Sequence, residues 1–294
     1  MKRGIKQILR KLFWGFYRHL LSDKWYARVR YWLELDEWPD LENPQKFTEK
    51  IQWIKLNERT QLRQLAANRL AVRDWVDKKI GKSHLVPLID SFDTLTQPIW
   101  ESLPQQFVLK ANHGCGMLSI IRDKENEHLN TIQQSTEEWK QTNYYRFGRE
   151  WAYKGLPRKI LAEELLLTQK GTIPKDYKLF CFHGKVKLIQ VDYDRFGNQK
   201  RNLFNPDFEP IEGRLLYPPY EQPVQCPKNI DEAINIAEAL AADFSFIRVD
   251  LYLLENHIYF GELTNYPGNG FVPFQPEELE YKVGSWLDLN RELT

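Results

Sequence analysis

Phe107-Val108-Leu109-Lys110-Ala111-Asn112-His113-Gly114-Cys115-Gly116-Met117 is the stretch on which the reading of the fold turns. An apolar, β-rich run carries one lysine and then breaks into a loop with two glycines. A second apolar run, Leu118-Ser119-Ile120-Ile121-Arg122, follows at once, so strand, loop, strand is the natural interpretation. Glycine lets a backbone approach a ligand closely, and successive N–H groups in such a loop form an anion-binding nest. With a lysine on the strand before it, the unit suits a triphosphate; a tight hairpin with an exposed lysine is the alternative. Neither standard phosphate signature is present: G-x-x-x-x-G-K-[ST] is absent, and G-x-G-x-x-G fails at Ser119 with no helix pattern behind it.

Outward from this loop, the chain is long enough, at 294 residues, for one large domain or two modest ones. Its 42% apolar and 14% aromatic content excludes general disorder, and a net charge of +1 argues against a nucleic-acid partner. Cys115, Cys181 and Cys226 form no C-x-x-C pair and read as reduced, mostly structural thiols of a cytoplasmic protein. No apolar run approaches the length of a membrane span, and no internal repeat is evident.

Residues 1–22 carry Lys2, Arg3, Lys6, Arg10, Lys11 and Arg18 and no acid. Ile5, Ile8, Leu9, Leu12, Phe13, Phe16 and Leu20 recur at three- and four-residue steps, which places them on one helical face. Arg10 and Lys11 interrupt what would be the core of a secretory signal. Two readings stay open: a peripheral helix at the inner, anionic face of a membrane, or a helix docked on its own domain. Further on, Thr48 is the expected N-cap of a helix through Ile51, Trp53, Ile54 and Leu56, and residues 62–80 read as helical, closed by Gly81. Residues 131–145 are polar and helix-compatible. Residues 159–167, with Glu163 and Glu164, fit a helix turn or a strand. Residues 176–182 and 185–191, joined at His183-Gly184, spell a β-hairpin.

The last hairpin holds the second constellation. Residues 246–254 and 258–263 are strands separated by Glu255-Asn256-His257. A three-residue loop sets Asp250 opposite Glu262 and Arg248 opposite Thr264, all on one face. Val249, Leu251, Leu253, Tyr259 and Leu263 then share the other face. A two-residue loop would put the two carboxylates on opposite faces and mix charge into the core. Facing carboxylates repel unless a cation lies between them. Oxygen donors with Asn265 nearby suit Mg²⁺ over zinc; an Arg248–carboxylate salt-bridge cluster is the alternative.

Taken together these residues resemble the TupA-like (teichuronopeptide-biosynthesis) branch of the ATP-grasp ligases. The resemblance is carried by Phe47-Thr48-Glu49-Lys50-Ile51-Gln52-Trp53, Ala71-Val72-Arg73, residues 107–117, Glu163-Glu164-Leu165 and Asp176-Tyr177-Lys178 with Phe182-His183-Gly184-Lys185. It continues through Arg248-Val249-Asp250-Leu251-Tyr252 and Phe260-Gly261-Glu262-Leu263-Thr264. It implies an α+β fold with two lobes of antiparallel sheet clasping ATP, preceded by N-terminal helices. The expected division is a helical region over 1–60, a smaller lobe over 61–162 and a larger lobe over 163–294.

By that resemblance Lys110, His113, Gly114, Cys115 and Gly116 would bind the phosphates of ATP. Glu163, Glu164 and Leu166 would receive adenine and ribose, and Lys178 would reach the phosphates from the larger lobe. Asp250 and Glu262, with Asn265, would hold Mg²⁺, and Arg248 and Lys178 would stabilise the transferring phosphoryl group. The implied chemistry joins a carboxylate to an amine through an acyl phosphate, with a uronic acid of a cell-surface polysaccharide or its lipid-linked precursor as acceptor. Two departures stand out: threonine follows Glu262-Leu263 where many ATP-grasp enzymes have asparagine, and Asn68-Arg69 replaces an Asp-Lys pair before Ala-Val-Arg. Other readings remain. Asp192-Tyr193-Asp194 matches the Asp-x-Asp of glycosyltransferases, although an ordinary turn accounts for it, and a non-catalytic nucleotide- or glycan-binding module is the third. His113 and His183 sit at turns and read as neutral hydrogen-bonding groups.

Overall fold

The computed structural model describes residues 2–194, 197–222 and 224–290. The chain opens with α1 (Lys2–Gly15) and α2 (Asp23–Leu35), which meet at Phe13, Tyr26 and Leu33. Three helices follow: α3 (Phe47–Asn57), α4 (Gln61–Ala67) and α5 (Ala71–Ile80). Thr48 is not the N-cap of α3. The helix begins two residues earlier than that, at Phe47 with Lys46 as its N-cap, and the Thr48 hydroxyl donates to Glu280 at 2.7 Å. The first turn is closed instead by the Glu49 carboxylate, which accepts the N–H groups of Gln45 and Lys46 at 3.0 Å each. Residues 62–80 do not form one helix either. Asn68 Oδ1 accepts the N–H of Ala71 at 3.1 Å and Asn112 Oδ1 that of Leu70 at 2.9 Å, so the break is hydrogen-bonded locally and from across the molecule. Gly81 ends α5 at φ 93°, as expected.

The small sheet is built from β1 (Leu88–Phe92), β2 (Phe107–Ala111), β3 (Leu118–Ile121) and β4 (Ile160–Glu164), with α6 (Gln97–Ser102), α7 (Leu129–Gln141) and α8 (Tyr144–Gly148) between them. Its order is β1-β4-β2-β3, antiparallel throughout. The ambiguous stretch at 159–167 thus resolves as a strand. Phe107, Leu109, Ala111, Ile121, Ile160 and Ala162 pack with Trp100 of α6 and Ile132 of α7. Side chains alternate along a strand, so Val108, Lys110, Leu118 and Ile120 point the other way.

The large sheet has order β10-β9-β5-β6-β7. Its strands are β5 (Asp176–Phe182), β6 (Lys185–Tyr193), β7 (Lys200–Phe204), β9 (Phe246–Leu254) and β10 (His257–Thr264). β8 (Arg214–Leu215) and β11 (Phe274–Gln275) form a separate ribbon, α9 (Ile230–Ala241) precedes β9 and α10 (Glu277–Ser285) follows β11. His183 (φ 49°) and Gly184 (φ 76°) make the two-residue turn of β5–β6, both in the left-handed region that such a turn demands. One face of the sheet, through Leu179, Cys181, Val191, Val249 and Leu251, packs in a core shared with α9 and α5. The other is apolar at one end, where Phe180, Phe182, Leu188 and Phe246 meet Phe47 of α3 and Val283 of α10. Its other end is charged.

The β9–β10 register matches the expected pairing, by a different route. Leu254 pairs with His257, so the loop has two residues and not three. The compensating extra residue is Gly261, a bulge between Phe260 and Glu262 that restores Asp250 opposite Glu262 and Arg248 opposite Thr264. Ahead of the bulge the faces are exchanged: Tyr259 pairs with Tyr252 outside the apolar face, and Ile258 and Phe260 are buried in its place.

The lobes also divide differently from the expected boundaries. Ala66, Val72 and Val76 of α4 and α5 belong to the core of the large sheet, and Glu163 and Glu164 complete β4 of the small one. We therefore draw the boundary after β4 and count α4 and α5 with the larger lobe.

Candidate active site

Between the sheets lies a polar cavity lined by Arg69, Lys110, Cys115, Gly116, Lys178, Asp250 and Glu262, with Asp176 and Tyr252. It adjoins an apolar slot lined by Val86, Val108, Ile120, Leu165, Leu166 and Ile173, with Glu164 at its rim. Lys110, Leu118 and Tyr252 belong to both, so slot and cavity form one continuous cleft.

Apart from Arg69, the charged groups of the polar cavity reach this cleft through strand geometry. Lys110 is the one polar residue of β2 on the inward face, and its ammonium sits 2.7 Å from Glu163. Glu163 is also held by Arg73 at 2.9 Å, and Arg73 in turn donates to the carbonyl of Val86 at 2.7 Å. Glu163 is thus a buried brace that aims Lys110; Glu164 and Leu166, not Glu163, line the slot. On the facing sheet Lys178 contacts Asp250 at 2.6 Å and Asp176 at 3.4 Å. Arg248 clasps Asp250 with two bonds of 2.6 Å, donates to Thr264 at 2.9 Å and lies 3.5 Å from Glu262. The Asp250–Glu262 repulsion expected from their cross-strand pairing is therefore relieved by protein cations.

Arg69, in the break between α4 and α5, donates to the carbonyls of Ala111 (2.7 Å) and Gly114 on the glycine-loop side and pairs with Glu262 at 3.1 Å. It bridges the two lobes. Burial would raise the Glu262 carboxyl, but Arg69, Arg248 and Lys178 outweigh it and hold the group down at about 2. The sequence pattern gave Arg69 only as a departure from an Asp-Lys pair. Its signal was the flanking Asn68, a residue that stops helices and frees the next side chain to leave the helical track.

Other expected site residues lie elsewhere. Asn265 is buried and bonded both ways to Arg63: its Nδ2 donates to the Arg63 carbonyl at 3.0 Å and its Oδ1 accepts from the guanidinium at 3.2 Å. It is one residue past Thr264 and so faces away from Glu262. His113 turns towards α7, with Nε2 2.9 Å from the carbonyl of Trp139, and burial pushes its pKa down. Gly114 is covered by Tyr144, whose Cδ2 would stand 2.8 Å from a Cβ there, while Gly116 (φ +76°) forms the loop wall of the cavity. Asp192 and Asp194 do not share a site. Asp192 is buried against Arg201 (2.5 and 2.9 Å), and Asp194, at φ 48°, accepts the N–H of Asn198 in a turn.

Among the described residues no three His, Cys, Asp or Glu side chains group as metal ligands. Asp250 and Glu262 nevertheless suit a hard divalent cation. Mg²⁺ needs only one or two carboxylates when nucleotide phosphates supply the remaining oxygens.

Two antiparallel sheets clasping a cleft, one giving a lysine and a glycine loop and the other a lysine and paired carboxylates, define an ATP-grasp protein. The family model for TupA-like ATPgrasp matches residues 49–287, and the chain belongs to that family. No curated protein matches the chain. Among solved structures it is similar to D-alanine–D-alanine ligase from Bacillus anthracis, at 15% identity and TM-score 0.42 over 68% of this chain and 57% of that one. It is also similar to the L-amino acid ligase from Bacillus licheniformis (14%, TM-score 0.40, 70% of this chain and 42% of that one). D-alanyl-alanine synthetase A from Vibrio cholerae is a third (12%, TM-score 0.43, 76% and 63%). The chain spans less than two thirds of the length of each of these proteins.

Proposed function

We propose that the chain is an ATP-dependent carboxylate–amine ligase working through an acyl phosphate. The observation that carries this reading is the continuity of the cleft, where an apolar slot fit for a purine opens at Lys110 onto a pocket of cations and paired carboxylates. Leu165 and Leu166 would cover the base, and Lys110 and Lys178 would meet the phosphates from opposite lobes. Asp250 and Glu262 would hold Mg²⁺, which supplies charge neutralisation on the phosphates when bound. Arg248, already bidentate on Asp250, is placed to neutralise charge on the transferring phosphoryl group. The loop at Gly114 and Gly116 would close over the phosphates and exclude water, which would hydrolyse an acyl phosphate.

From the family resemblance we infer a uronic acid of a cell-surface polysaccharide, or its lipid-linked precursor, as the carboxylate. An amino acid would be the amine, and the reaction would be cytoplasmic. The test is ADP release from ATP and Mg²⁺ across a panel of uronic acids and amino acids, with Lys110→Ala alongside. ADP formed only when both acceptors are present, and lost in the variant, is the expected result. Failure to bind ATP at all overturns the reading of the cleft.

A further inference from the structure

The apolar arc of α1 points the wrong way for a helix whose task is to pack on its own domain. The docked side uses Phe13, which is buried, and Trp14, together with Arg10, which donates to the carbonyl of Leu33 at 2.8 Å and pairs with Glu34 at 3.1 Å. Lys6 pairs with Asp36 at 2.5 Å. The apolar arc faces out: Ile8 is 60% exposed and Leu12 46% on α1, and Phe16 (62%) and Leu20 (65%) continue the four-residue spacing just past its end at Gly15. Leu9 and Tyr17 widen the patch, and Lys11 is exposed beside it.

The charge around this patch selects its occupant. Residues 1–22 contain no acid, and the acids of α2 and of its C-cap are already neutralised, Glu34 and the capping Asp36 by α1 itself and Asp23 by Arg59 and Arg149. What remains outward is apolar with the exposed Lys11 beside it, a composition suited to an anionic bilayer interface. A chain of contacts also links the docked side of α1 to the glycine loop. Phe147, 57% exposed, stands 5.9 Å from Trp14, and its carbonyl accepts the Tyr26 hydroxyl at 2.8 Å. The helix that carries Phe147, α8, starts at Tyr144, the residue that covers Gly114 of the glycine loop.

The geometry points to α1 and Phe147 as a docking surface for an anionic lipid bilayer, set so that the membrane lies on the α8 side of the glycine loop. Docking itself is independent of the ligase reading. Only the consequence, that a lipid-held acceptor meets the cleft from this side, rests on it.

The test is flotation of the full chain with vesicles of phosphatidylglycerol and phosphatidylcholine in equal parts, against phosphatidylcholine alone. Flotation only with the anionic vesicles, weakened by high salt, is expected. The double variant Leu12→Glu/Phe16→Glu, checked for native circular dichroism, should reduce the bound fraction roughly tenfold or more, because two apolar side chains no longer enter the interface. Phe147→Glu should weaken binding less. No flotation of the wild-type chain, or flotation unchanged in the double variant, overturns the proposal. So does a dimer, seen by sedimentation equilibrium without lipid, that the double variant dissociates, since the patch would then belong to a second copy. An ATP-dependent melting shift measured on the same samples separates the two readings. Lost flotation with that shift intact removes the bilayer alone, and the reverse removes the ligase alone.

Discussion

Glu262 shows how much of this site is decided at single side chains. It has Arg69 at 3.1 Å, Arg248 at 3.5 Å and the Thr264 hydroxyl at 3.1 Å, and its carboxyl stays ionised down to about 2 against an ordinary value of 4.5. A carboxyl whose pKa falls on folding contributes stability that is complete above its unfolded value and is lost as pH drops through the folded one. Glu262→Gln should therefore be less stable than the wild type at neutral pH. The gap between their melting temperatures should close as pH falls from about 4.5 to about 2. A gap constant across that window would show that the cations do not hold Glu262. Residue identity and strand pattern singled out Lys110, Asp250 and Glu262 as candidates in the sequence, and Lys178 came forward only through the family resemblance. Arg69 and Asn265 were not legible. Whether a side chain one position from a motif turns into the cleft or away depends on a helix break in the first case and on strand alternation in the second.

At the level of elements, the β9–β10 hairpin carries the same lesson more sharply. Alternation required an extra residue somewhere between Asp250 and Glu262, and the expected place was the turn. It lies instead at Gly261, where the bulge brings the backbone close: a Cβ there would be 3.0 Å from the Asp250 carbonyl oxygen and 3.3 Å from the Tyr252 ring. Glycine within Phe260-Gly261-Glu262 was the available signal, since an isolated glycine in a strand often marks a bulge. Gly261→Val should cost about 1–3 kcal/mol in urea unfolding, the usual penalty of overpacking, and should weaken Mg²⁺-dependent ATP binding more than Mg²⁺-free binding. An unchanged ratio of the two affinities would mean that the bulge does not set the carboxylate pair. Helix limits were less legible than strands. Thr48 and residues 62–80 obey local rules, but a distant carboxylate, Glu280, claims the first, and Asn112, from the glycine-loop segment, fixes the break in the second.

For the whole molecule, the cleft has meaning only if something spans it. Lys110 rises from the small sheet braced by Glu163, and Lys178 from the large sheet between Asp176 and Asp250, so neither lysine contacts the other's brace. ATP bound between the lobes would couple them, because orienting the phosphates on one lysine positions them for the other. Ligand at about a hundred times its dissociation constant stabilises a folded chain by about 2.7 kcal/mol, which is readable as a melting shift. Lys110→Met and Lys178→Met should each remove most of the shift given by ATP and Mg²⁺, and the double variant should lose little more than either single one. Independent sites would instead give losses that add. Additive losses would place the two lysines at separate anion sites and dissolve the clasp. Non-additive losses confined to ATP, and absent with inorganic phosphate, would show that the two lobes bind a single extended ligand.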